Sequence, residues 1–218
     1  MKINTVVIDT ETLDVSETAI VLTLSAIRFN RFGEMHPEHG FVCHPDDEFH
    51  IAIDVTEQLL QGRTTSPSTL KWWNEQSEEA KAALWTDSLN TMRVKDALKE
   101  LTAFIGDCQP FARGTDFDFK ILGHLYRTND MKAPWKFNQV RDVRTYIDAF
   151  TGDTAGYIKN FEAPSWMVTH NSLHDCYRDA MQMVQARAVV MGLVDMAKQL
   201  ETIKAEDKAK EMMPPGDE

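Results

Sequence analysis

Cysteine is scarce in this chain, and long apolar runs are missing. Cys43, Cys108 and Cys176 are the three cysteines in 218 residues, far apart and without a CxxC pair. That leaves no disulfide framework and none of the usual spacings of a zinc or redox site, and it fits a reducing cytoplasm. No stretch approaches the roughly 18 apolar residues of a membrane span, and no basic, then apolar, leader precedes a small-residue cleavage site. The protein therefore reads as soluble and unexported, with no membrane partner. Basic residues are also in deficit: 23 Lys and Arg against 34 Asp and Glu give a net charge of −11, which argues against a generally basic, phosphate-coating surface.

What is present suffices for one sizeable core, since 43% of the residues are hydrophobic. Residues 1–199 read as a single domain, and 200–218, with six acids and three lysines, as a polar, frayed tail. Charge is unevenly spread. Residues 113–144 carry seven Lys and Arg against four acids, a local excess of three positive charges, whereas Glu38 to Glu57 holds six acids and no Lys or Arg. A phosphate-bearing partner has one landing area, unless the excess is ordinary surface variation.

The hydrophobic pattern indicates strands first, then helices alternating with strands. Val6-Val7-Ile8 is a short apolar run ending in Asp9-Thr10-Glu11, as in a buried strand emerging at an acidic end. Ile20, Leu22, Leu24 and Ala26 alternate at period two, and Phe41-Val42-Cys43 resumes an extended pattern, giving an antiparallel meander. Ser66-Pro67 and Ser77 open helices, and Val94, Ala97, Leu98, Leu101, Phe104 and Ile105 form a helical stripe. Phe111-Ala112-Arg113 reads as a fourth strand feeding a helix from Phe117 to Arg127, and Phe137 to Val140 as a fifth strand. Asp142 caps a helix over 143–150, and a long amphipathic helix follows Asn171-Ser172. The fold class is α/β.

Asp9 and Glu11, two apart on a strand, project from one face with Cα atoms about 7 Å apart, so both carboxylates reach one hard cation such as Mg²⁺. Alone this is weak, because 34 acids in 218 residues produce about five acid-x-acid triplets by chance. Asp118 opens a helix beside Phe117, where an aspartate also serves as an ordinary cap, and Asp116 competes for the same role. His170 and Asp175 would stand about 140° apart on one helix. They converge only if the histidine lies in the loop and the aspartate on the helix.

In this order, Val-Val-Ile-Asp9-Thr-Glu11, Phe117-Asp118 and His170-x4-Asp175 resemble the three motifs of the DnaQ-like 3′–5′ exonucleases, histidine-containing subgroup. Thr69-Leu70-Lys71-Trp72-Trp73, Pro134-Trp135, Arg141-Asp142-Val143-Arg144-Thr145 and His170-Asn171-Ser172-Leu173-His174-Asp175 are similar to the branch of phage exonuclease A and the bacterial exoribonuclease RNase AS. The resemblance implies a ribonuclease H-like fold with a five-stranded mixed sheet flanked by helices, residues 1–199 being the exonuclease domain. It implies two Mg²⁺ or Mn²⁺ ions per site, held by Asp9, Glu11 and Asp175 and by Asp9 and Asp118, with His170 as general base. The substrate would be the 3′ end of single-stranded RNA or DNA, released as nucleoside 5′-monophosphates, and a homodimer is one assembly known in the branch. Thr10, Lys120, Arg141 and Arg144 are the candidates for substrate contacts, while Trp72, Trp73 and Trp135 either stack bases or pack in the core. A catalytically silent binding module on the same fold is the alternative.

Overall fold

The computed structural model describes residues 2–33, 41–87 and 90–211. Its centre is β1 (Thr5–Thr12), which pairs antiparallel with β2 (Val21–Phe29) on one side. After a 3₁₀ turn at Pro45–Asp47, β3 (Glu48–Ile53) continues the antiparallel meander. Three short helices follow: α1 (Val55–Leu60), α2 (Pro67–Asn74) and α3 (Glu78–Asp87). Then come β4 (Thr91–Met92), α4 (Val94–Ile105), β5 (Gln109–Ala112), α5 (Asp118–Thr128), β6 (Arg141–Asp142), α6 (Val143–Thr151) and the long α7 (Ser172–Glu211). The sheet order is β4-β3-β2-β1-β5-β6, with β5 parallel to β1.

Helices cover both faces of this mixed sheet, which is why β1 is buried almost throughout. Val6, Ile8, Leu24 and Ala26 pack against Leu98 and Leu101 of α4 and Leu122 and Leu125 of α5. On the opposite face Val7, Ile27 and Phe111 meet Ile147 of α6 and Cys176, Ala180 and Met183 of α7. Two expected caps form, Ser66 accepting from Thr69 N at 3.1 Å and Asp142 from Thr145 N at 2.7 Å, and Asp54 adds another, accepting from Glu57 N at 3.0 Å. Among the described residues no helix is long and apolar enough to cross a membrane.

Three expectations about the sheet need correction. It has six strands, not five, because the two-residue β4 adds to the edge of β3. The third strand is Glu48–Ile53 and not Phe41–Cys43: Pro45 lacks the N–H a ladder needs and sits in the 3₁₀ turn, and the alternation of Phe49, Ile51 and Ile53 resumes only beyond it. At the other edge the strand is Arg141–Asp142, while Phe137, 95% exposed, belongs to the preceding loop.

Candidate active site

Asp9 and Glu11 lie on the face of β1 that Val7 turns towards α7, so the alternation of the strand aims both carboxylates at the start of that helix. There the chain makes a sharp entry. His170 adopts the left-handed conformation (φ 63°), which carries it out of the helix that begins two residues later. Asn171 then caps the helix, its Oδ1 accepting from Leu173 N at 3.1 Å and His174 N at 3.2 Å. Asp175 in the first turn thereby faces back towards His170, as the five-residue spacing requires. Ligand atoms of Glu11, His170 and Asp175 all lie within 4.8 Å of one another.

The start of α7 is tied to the sheet by hydroxyls. Buried Ser172 Oγ lies 2.8 Å from Thr23 Oγ1 and 2.7 Å from Ser25 Oγ, and Ser25 Oγ lies 2.7 Å from His50 Nδ1. Thr23 and Ser25 are the register partners of Glu11 and Asp9. One chain of hydrogen bonds thus sets the helix bearing Asp175 against the strand bearing the first two acids.

The fourth acid arrives from the other side. Asp118, 2% exposed, accepts from Thr10 N at 3.0 Å and Thr10 Oγ1 at 2.8 Å, both through Oδ1. Asp116 is exposed, so the geometry separates the two aspartates that spacing leaves equivalent. Thr10 is the residue between the two strand acids, and its role here is to hold the middle-motif acid.

These carboxylates share too little positive charge. Burial, then the charges of Asp118 and Glu11, pushes Asp9 well above the usual carboxylate range, and burial with Asp175 and Asp118 does the same to Glu11. Asp118 is pushed up to about 7 by burial despite its two bonds from Thr10, and Asp175 to about 6 by burial despite Arg178. Glu11 Oε1 is buried with no hydrogen-bond partner among the described residues. Burial and the nearby Arg178 hold His170 below its ordinary pKa, which favours the neutral imidazole at neutral pH. Such a set of hard oxygen donors beside a neutral imidazole fits divalent cations such as Mg²⁺ or Mn²⁺.

Sequence reasoning missed the buried ionic layer behind these acids. Asp179, one turn beyond Asp175, pairs with Arg113 at 2.8 Å and lies 3.5 Å from Arg178, which also pairs with Asp175 at 2.7 Å. Arg113 further donates to Gly156 O at 2.7 Å and stacks 3.8 Å over Tyr157. The i,i+4 spacing of Asp175 and Asp179 was the available signal, but nothing in the sequence ties Arg113 to either.

Asp9, Glu11 and Asp175 open on a cavity of about 450 Å³, lined also by Ser68, Thr69, Trp72 and Phe117, while Asp118 stands behind Thr10 and outside its lining. Trp72, 39% exposed, sets its ring edge-on to His170 with centroids 4.6 Å apart. Trp73 is buried and donates to Thr12 O at 2.9 Å, and Trp135 packs against Phe119 and Tyr126. Of the three tryptophans, only Trp72 reaches the cavity wall. Lys120, Arg141 and Arg144 do not line it: Lys120 is exposed on α5, Arg141 lines a separate cavity at the β6 edge, and Arg144 lies across Gly156.

Comparison with known proteins agrees with this geometry. Residues 4–188 match the family model described as the 3′-5′ exoribonuclease Rv2179c-like domain. The chain is 29% identical over 216 residues to an exodeoxyribonuclease of Enterobacteria phage T4, covering 87% of this chain and 91% of the relative. The nuclease domain of 3′hExo, a DEDDh family member bound to rAMP, superposes with a TM-score of 0.56 at 10% identity, over 86% of this chain and 92% of that one. The cell-death related nuclease CRN-4 gives 0.54 at 12% identity, over 86% of this chain and 64% of its own length. These two solved structures support the fold alone, whereas the family match runs through all three acidic motifs. The chain belongs to the 3′-5′ exoribonuclease Rv2179c-like family and is a DnaQ-like 3′–5′ exonuclease.

Proposed function

We propose that this chain removes nucleotides one at a time from the 3′ end of single-stranded nucleic acid, releasing nucleoside 5′-monophosphates, with two Mg²⁺ or Mn²⁺ ions and His170 as general base. The observation that carries the reading is the convergence of Glu11, His170 and Asp175 within 4.8 Å at the mouth of the cavity. When bound, divalent ions stabilise charge at phosphorus and acidify water. Asp9, Glu11, Asp118 and Asp175 would hold them, with Thr10 fixing Asp118 and Arg178 steadying Asp175. His170, kept neutral by burial and by Arg178 and braced by Trp72, takes the proton of the attacking water at a ring nitrogen. The family is named for an exoribonuclease and the phage relative is an exodeoxyribonuclease, so both sugars enter the test.

Matched RNA and DNA oligonucleotides labelled at the 3′ or 5′ end supply that test. A 3′ label is expected to leave as mononucleotide only with Mg²⁺ or Mn²⁺, a 5′ label to shorten stepwise, and a single-stranded circle to survive. Cutting of the circle, or release insensitive to chelation, would sink the reading.

Trp72 offers a stacking face for the terminal base. Base stacking on an aromatic side chain is worth about 1–3 kcal/mol, so Trp72→Ala is expected to raise KM on short single strands about tenfold. The fold should persist, because the structural bond to Thr12 belongs to Trp73. Steady-state kinetics with an unchanged thermal melt would verify this, and an unaltered KM would remove Trp72 from the substrate path.

A further inference from the structure

A second cavity, of about 560 Å³, lies between α6 and the β5–β6 edge and shares no lining residue with the carboxylate cavity. Arg31, Arg141, Phe32, Phe111 and Tyr146 are among its walls. Its location follows from the register. Arg31 follows β2 at the end where Phe29 pairs with Thr5, six residues along β1 from Glu11. At roughly 3.3 Å per residue this end of the cavity is about 20 Å from Glu11 and about 13 Å from Asp9. From there the cavity runs along the β5–β6 edge, where Phe111 pairs with Val7 on one side and with Arg141 on the other.

Three features set this cavity apart in a protein of net charge −11. The first is arginine without a carboxylate. Arg31 donates to Thr5 Oγ1 at 2.8 Å and Gln109 Oε1 at 3.0 Å and stacks over Phe32 at 4.4 Å, while Arg141 donates only to the carbonyls of Asn138 and Val140. Neither has an acidic partner among the described residues. Arg187 adds a third guanidinium, donating to Phe32 O at 3.1 Å. Asp142 is the one acid in the wall, and both its oxygens are engaged, by Thr145 and by Gly114 N.

The second feature is a donor left idle. The Tyr146 hydroxyl is buried and has no hydrogen-bond partner among the described residues, a condition that costs free energy unless something accepts from it. The third is an apolar wall of Phe111, Val140 and Ala149. Guanidiniums and a phenol O–H suit phosphate oxygens, and apolar side chains beside them suit a base.

We infer that the cavity walled by Arg31, Arg141 and Tyr146 is a second binding site, for the phosphate and base of a nucleotide, separate from the carboxylate cavity. It takes either a nucleotide within a strand held elsewhere by the protein or a free mononucleotide such as the released product. The choice of a nucleotide as ligand rests on the exonuclease reading, but binding here needs neither the acids nor a metal.

The test uses the full chain in EDTA, where hydrolysis plays no part, with equilibrium dialysis of AMP and, separately, of a 5′-labelled single-stranded 12-mer. Arg141→Gln is exposed and keeps the fold, and Tyr146→Phe removes only the idle hydroxyl. Each is expected to weaken AMP at least fivefold, and the pair together more than tenfold. If the 12-mer weakens in parallel, the site holds part of the strand; if AMP alone weakens, it holds the free nucleotide. Both probes binding the double variant as they bind wild type, at equal melting temperature, would overturn the inference. Failure of the exonuclease reading shows separately, as absence of metal-dependent release.

Discussion

Asp118→Asn is expected to lower metal-dependent release from a 3′-labelled strand by about a thousandfold, whereas Asp116→Asn should leave it within about twofold. The contrast follows from where the two side chains lie. Asp118 Oδ1 accepts both bonds from Thr10, which orients the carboxylate and leaves Oδ2 for a cation. An amide at this position keeps Oδ1 and both Thr10 bonds, so the substitution removes charge without removing the packing. Charge stabilisation by a correctly held metal is worth several kcal/mol, and about 4 kcal/mol corresponds to roughly a thousandfold in rate. Asp116 is exposed and does not line the carboxylate cavity. Initial rates on one 3′-labelled oligonucleotide, across a range of Mg²⁺ and Mn²⁺ concentrations, separate a lost ion from a lost step. A variant at Asp116 that loses activity, with Asp118→Asn still active, would reverse the assignment of the middle motif.

How much of this site was readable in sequence depends on how far apart its parts lie in the chain. Asp9 and Glu11 were legible because an apolar run ending in alternate acids is a local pattern, and a strand needs no distant partner to put two carboxylates on one face. His170 and Asp175 were legible for a similar reason: a capping Asn171 between them separates loop from helix. Choosing between Asp116 and Asp118 was beyond local spacing, since the deciding bond comes from Thr10, 108 residues away. Ser172 looked like an ordinary helix start, yet it ties α7 to Thr23 and Ser25 across nearly 150 residues. Arg113 fell within a basic stretch that suggested phosphate contacts, but it is buried against Asp179. In the sheet the same limit applies. The long apolar strands declared themselves, while the two-residue edges β4 and β6 exist only because a neighbouring strand offers a free ladder, which no periodicity of two residues can announce.

The burial of the acid set should also appear in the stability of the metal-free protein, as a melting temperature that Asp118→Asn raises increasingly with pH. The unfolded aspartate ionises near pH 3.9, but in the fold burial pushes Asp118 up to about 7. Below about pH 4 both states carry the proton and the group costs nothing. Between pH 4 and 7 the unfolded chain releases the proton while the folded one retains it, so stability is lost as pH rises, and above 7 the cost is constant. Asp175, pushed up to about 6, adds a loss of the same sign that ends sooner. Histidines act oppositely: His170 and His174, held below their ordinary pKa mainly by burial, cost stability as pH falls through the unfolded value near 6.5. Subtracting variant from wild type isolates Asp118 from both. Two pH units of the window amount to a few kcal/mol, which in a protein of this size moves Tm by about 5–10 °C. In EDTA, then, the advantage of Asp118→Asn in a thermal melt should grow by about 5–10 °C from pH 5 to pH 8. With millimolar Mg²⁺ or Mn²⁺ at pH 8 the order should reverse, because cations compete with protons for the ionised acids and stabilise only the chain that can hold them. A difference that stays flat with pH, or an ion that stabilises both chains equally, would mean that Asp118 is neither destabilised by its burial nor one of the residues that hold the metal.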